Sequence, residues 1–87
     1  MLMAIHEVHV TIENKQGMSD PEGDTILNDL VLKGSHEEVT RIRTARMLKF
    51  TINAADPNDA IARVQKICDE LRIYNPVASR ITLEAQR

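Results

Sequence analysis

The sequence predicts an α+β fold, a β-α-β-β-α-β two-layer sandwich in which a four-stranded antiparallel sheet carries two helices on one face. Three observations predict it. Segments near the start, the middle and the end of the chain alternate apolar and polar residues with the period of a half-buried strand. Two Asp-Pro pairs, Asp20-Pro21 and Asp56-Pro57, stand directly before runs of helical apolar spacing. The two halves also repeat one order: strand, Asp-Pro helix, strand.

Residues 6–12 place Val8, Val10 and Ile12 on one strand face and Glu7, His9 and Thr11 on the other. Residues 14–19 connect onward, with Gly17 as the turn residue. The first helix spans about residues 21–33. Asp20 caps it by accepting from an orphan backbone N–H, Pro21 suits a first position that needs no donor, and Glu22 and Asp24 sit at the positive end of the dipole. Ile26, Leu27, Leu30 and Val31 share one face, and Gly34 is placed to end the helix.

Ser35, followed three residues later by Glu38, makes a capping box worth one further turn. In residues 39–45 the Val39–Ile42 spacing suits a helix, but β-branched Val39, Thr40, Ile42 and Thr44 favour the second strand. A glycine-free turn at residues 44–46 leads to the third strand, with Leu48, Phe50 and Ile52 inward and Met47, Lys49 and Thr51 outward. The second helix opens at Asp56-Pro57 with Ile61, Val64, Ile67, Cys68 and Leu71 as its apolar stripe, and Asn75-Pro76 stops it. Val77, Ser79, Ile81 and Leu83 form one face of the fourth strand. This is the split βαβ, or ferredoxin-like, arrangement, and residues 1–87 read as a single domain near the lower end of independently folding size. The second sheet face, carrying Ile5, Met47 and Val39 among charges, meets solvent or another subunit.

Hydrophobic residues at 43% fill a small core, but aromatics at 2% leave it aliphatic and offer no base-stacking surface. With a net charge of −2 the chain has no general attraction to nucleic acid or anionic membranes. The short apolar opening is too brief for a signal peptide or a membrane span, and a lone cysteine fits a cytoplasmic location. Proteins or small molecules are the expected partners.

Reactive constellations are scarce. His6 and His9 are three apart in a strand and point to opposite faces, so they cannot share a metal ion. Cys68 lies on an apolar helix stripe, where a thiol is a small core residue rather than a nucleophile. Asp20, Glu22 and Asp24 are explained by capping and dipole complementarity. Gly17, Gly23 and Gly34 match neither a Walker loop nor a dinucleotide fingerprint. Arg41, Arg43, Arg46 and Lys49 form the one basic cluster, either a solvated strand face or a dock for an acidic surface or an anionic ligand.

Three runs carry a resemblance. Residues 15–23 match a Lys-x-Gly-Met/Val-x-Asp-Pro-x-Gly pattern, residues 39–46 are similar to a Val-x-x-Val/Ile-Arg-x-Gly-Lys pattern, and residues 68–77 look like a Cys-x-x-Leu-x-x-Asn-Pro-Val pattern with one residue more between Leu71 and Asn75. In this order they resemble the PurS family, the small subunit of phosphoribosylformylglycinamidine (FGAM) synthase. Ala45 departs from the family's Gly, Arg46 from its Lys, and Ile81 from a common aromatic.

The resemblance implies a non-catalytic subunit in purine biosynthesis that bridges a glutaminase and an ATP-dependent synthetase and helps ammonia pass between them. It implies no metal, cofactor or catalytic residue in this chain, with ATP and Mg on the synthetase partner. It further implies a homodimer, or a tetramer, made by joining strands across subunits. Gly17, Asp20, Pro21, Gly23, Arg43 and Arg46 are the contact candidates. The competing reading is a stand-alone ferredoxin-like ligand-binding regulatory module, which needs a glycine-rich loop or polar pocket after the first strand, where this chain has its Asp-Pro turn. An acyl-phosphate hydrolase of the same topology needs an arginine-bearing glycine loop there, also missing from the sequence.

Overall fold

The computed structural model describes residues 3–86. Its elements are β1 (Ala4–Asn14), α1 (Pro21–Thr25) running on as a π-helical segment (Ile26–Val31), β2 (Ala45–Ala54), α2 (Pro57–Glu70) and β3 (Ser79–Gln86). The sheet is three-stranded and antiparallel in the order β2-β1-β3. Val8 lies opposite Phe50 and Ala85, Val10 opposite Leu48 and Leu83, and Ile12 opposite Arg46 and Ile81. One face is therefore apolar apart from Arg46 at its end, and Glu7, His9, Lys49 and Glu84 lie on the other.

The expected four-stranded sheet is corrected to three strands, because residues 39–44 form no strand. The Thr44 N–H, which a ladder would use, donates to the Asp20 carboxylate, and the Ile42 carbonyl lies hard against Gly23. Local tertiary bonds outweigh the β-branched propensity of this run. Val39 accordingly has no place on the outer sheet face.

The expectation of two helices on one face also changes. α2 packs across all three strands, whereas α1 and its π-helical continuation stand away from the sheet. Leu30 is 66% exposed and Leu32 is exposed beside it. The molecule is correspondingly long and thin, 56 × 28 × 14 Å.

The core consists of Val8, Val10, Ile12 and Ala54 from the sheet and Ala60, Val64 and Cys68 from α2. The buried stripe of α2 thus repeats every fourth residue. Ile61 and Ile67 flank it half-buried, and Leu71 is exposed beyond the helix end.

Both helical segments end on left-handed residues that are not glycine. Ser35 has φ 68° and Arg72 φ 51°. The His36 N–H donates to the Val31 carbonyl and the Ser35 N–H to the Leu32 carbonyl, the paired bonds of a Schellman motif, with Gly34 one place too early to supply the left-handed residue. At the end of α2 the Ile73 N–H reaches the Cys68 carbonyl in the same way. The helix therefore stops before Asn75-Pro76. Asn75 instead builds the turn into β3, its carbonyl accepting from Ser79 N–H at 2.7 Å and its side chain from Val77 N–H at 3.0 Å.

Candidate functional site

The sequence's least generic residues meet at one end of the sheet, where β1 stops, α1 starts, residues 41–44 return and β3 begins. A turn at residues 15–18 closes with Met18 N–H on the Lys15 carbonyl at 3.0 Å, and Gly17 takes φ 93° at its third position. The Lys15 N–H donates to the Ala78 carbonyl at 2.9 Å, which fixes this turn beside the start of β3.

Asp20 is the centre of the junction and is buried. Its carboxylate caps α1 through the Gly23 N–H at 3.0 Å and holds Thr44 twice, through the backbone N–H and through Oγ1 at 2.9 Å. The Thr44 N–H, then the Gly23 N–H, the Thr44 hydroxyl and the Arg43 charge outweigh the cost of burial and hold the carboxyl below its ordinary range. Arg43 completes the joint. Its Nη1 donates to the Met18 carbonyl at 2.9 Å, Nη2 to the Asn14 carbonyl at 3.4 Å, and Nε lies 3.8 Å from Asp20 Oδ2.

Gly23 is buried because the returning backbone crosses it; a Cβ there would meet the Ile42 carbonyl oxygen at 2.3 Å. Pro21 is exposed at the start of α1. Arg46 is also exposed and lines a concavity of about 260 Å³ with Asn14, Glu22, Thr44 and Ser79. A second concavity, of about 230 Å³, is lined by Glu13, Asn14, Gln16, Arg41, Arg43 and Arg80.

Of the six contact candidates, Asp20, Gly23 and Arg43 thus hold the junction together from within, while Gly17, Pro21 and Arg46 are exposed. Thr44 and Asn14 are also joint residues, through the bonds to Asp20 and Arg43. Thr44 carries the signal of a strand former, and its partner lies 24 residues away. Among the described residues no three His, Cys, Asp or Glu side chains gather as metal ligands, and no helix is long and apolar enough to cross a membrane. His6 and His9 do face opposite sides of the sheet, His9 pairing with Glu7.

Comparison with known proteins gives a consistent result. The profile of PurS, phosphoribosylformylglycinamidine (FGAM) synthase, matches residues 7–87. The phosphoribosylformylglycinamidine synthase subunit PurS of Archaeoglobus fulgidus is 31% identical over 74 residues, covering 85% of this chain and 90% of that protein. The crystal structure of the purS subunit from Thermotoga maritima superposes with a TM-score of 0.84 at 21% identity, covering 99% of this chain and 97% of that one. A chain of the Thermotoga maritima PurLQS structure gives 0.81 at 21% identity over 97% and 100% of the two chains. The Asp-Pro-x-Gly junction, the three-stranded sheet and these matches together place the chain in the PurS family of FGAM synthase.

Proposed function

We propose that this chain is the non-catalytic small subunit of a cytoplasmic FGAM synthase complex in purine biosynthesis, acting as a dimer that bridges the glutaminase and synthetase subunits and assists ammonia transfer. Family membership supports the enzyme and the pathway. The observation that carries the bridging role is the amount of surface the fold leaves uncovered. Its accessible area is 6413 Å², against about 5,200 Å² for a compact monomer of this mass. Its radius of gyration is 16.9 Å, against about 12 Å for a compact chain of this length. The excess is of the order of one partner's share of a standard interface, about 800 Å².

The uncovered surface lies in two places. The first helical segment exposes Leu30 and Leu32, and the sheet leaves one edge of β2 and one edge of β3 unpaired. Both suit protein contacts, the helix through apolar burial and the edges through strand addition. The resulting scaffold has a chemical purpose. Ammonia reacts as the neutral base, and carrying it as a cation through a desolvated passage is costly, so the two reacting subunits must be held in register and sealed from water. ATP and Mg belong to the synthetase partner in this reading.

Reconstitution tests the proposal. Glutamine-dependent product formation by the glutaminase and synthetase subunits should rise when this chain is added, and the chain alone should turn over neither glutamine nor ATP. Equal turnover with and without the chain overturns the bridging role.

A further inference from the structure

We propose that the concavity lined by Arg41, Arg43 and Arg80 is a binding site for a phosphate dianion, free or carried as a small phosphomonoester, with Arg41 as its direct ligand. Three guanidinium groups and one carboxylate, Glu13, line about 230 Å³. Glu13 is already committed, since its Oε1 accepts from Arg80 Nε at 2.8 Å. Asp20, the other nearby acid, is committed to Gly23 and Thr44 and is buried behind Arg43.

The donors divide by role. Arg43 has one N–H of each Nη on the Met18 and Asn14 carbonyls, so it is fixed in place and contributes its charge more than a movable fork. Arg80 uses Nε on Glu13, and its terminal nitrogens have no partner among the described residues. Arg41 is exposed and bonds nothing among them, so its whole fork is available, and the Gln16 side-chain amide, which lines the same concavity, is equally unbonded among the described residues. The lining carries three positive charges against one negative charge.

A phosphate dianion matches this arrangement better than a carboxylate does. It brings two charges and several acceptor oxygens that take N–H groups from more than one direction, whereas one arginine fork already satisfies a planar carboxylate. The site is open to water, so binding is expected in the millimolar range, about 1 mM for inorganic phosphate. The inference does not rest on the proposed bridging role.

The test follows the arginine Nε resonances of the full chain by NMR at constant ionic strength. The probes are inorganic phosphate, glycerol 3-phosphate, glycerol and chloride. Saturable shifts at Arg41 and Arg80 with both phosphates, and none with glycerol or chloride, are expected. The phosphomonoester should bind more tightly at pH 7.5 than at pH 5.5, because its second ionisation lies near 6. Binding only one of the two phosphates identifies the source of the group and still supports the site. R41A should weaken binding about tenfold, while K33A leaves it unchanged. R41K keeps the charge but loses the fork, and should fall between wild type and R41A, which serves if R41A fails to fold. Linear shifts, equal shifts with chloride, or shifts untouched by R41A overturn the proposal. Loss of complex assembly in R41A without any phosphate binding likewise overturns it, in favour of a contact with protein.

Discussion

The carbonyl oxygen of Ile42 occupies the space a side chain at Gly23 would need, 2.3 Å from where its Cβ would stand. The start of α1 and the returning chain are thereby held closer than any residue but glycine allows. G23A is expected to force them apart and cost about 2 kcal/mol. Urea unfolding, together with faster hydrogen exchange of amides in Pro21–Thr25, measures it. A variant as stable as wild type would mean that the two backbones part easily.

Asp20 makes this joint pH-dependent. Its folded-state pKa lies below the unfolded value of 3.8, chiefly through the Thr44 and Gly23 N–H groups. Its stabilisation is therefore fully present above that value and lost as pH falls through the folded pKa. The melting temperature of wild type should exceed that of D20N at pH 6, and the gap should narrow as pH falls below about 4. A constant gap down to pH 3 would place the carboxylate's effect elsewhere.

Arg43 and Arg46 should separate by assay. R43A removes the bonds to Met18 and Asn14, so it should lower stability by about 1 kcal/mol and loosen the Gly17 turn. R46A touches no internal partner among the described residues and should leave the melt unchanged while weakening association with the other synthase subunits. Unchanged association in R46A would return it to ordinary surface charge.

Ser35 and Arg72 both sit in the left-handed region without being glycine. R72G should stabilise the protein by about 0.5–1 kcal/mol, read as a higher urea midpoint, and S35G should stabilise its own segment by a similar amount, read as slower hydrogen exchange of the amides in residues 26–36. At Arg72 the gain should be global, because α2 holds the core, whereas at Ser35 it should be confined to the outlying helical segment.

Leu30 and Leu32 test the uncovered helical surface. L30K combined with L32K should weaken association with the other synthase subunits while leaving a strand-joined dimer of the isolated chain, and its circular dichroism, unchanged. A wild-type chain that sediments as a strict monomer at micromolar concentration would remove the dimer altogether.

Much of this was legible from periodicity and capping. Val8, Val10 and Ile12 fall on the apolar face as their alternation requires, and Asp20 and Asp56 cap as their Asp-Pro pairs indicate, accepting from Gly23 and Asp59 N–H. What stayed hidden depends on distant partners. Residues 39–44 carry strand-like residues, yet Thr44 spends its donors on a carboxylate 24 positions earlier. The first helix has a regular apolar stripe, and a stripe cannot say whether the covering surface belongs to its own sheet. On the site, the sequence picked out residues that converge, but it could not separate Arg43, bonded to carbonyls, from Arg46, left exposed at the end of the sheet.

The sheet has β1 at its centre and each flanking strand hydrogen-bonded on one side only. Two open borders on so small a body favour runaway head-to-tail stacking as readily as a closed pair, unless companions cap them. Covering those borders, by a second copy or by another protein, is therefore what keeps a chain of this shape from stacking on itself.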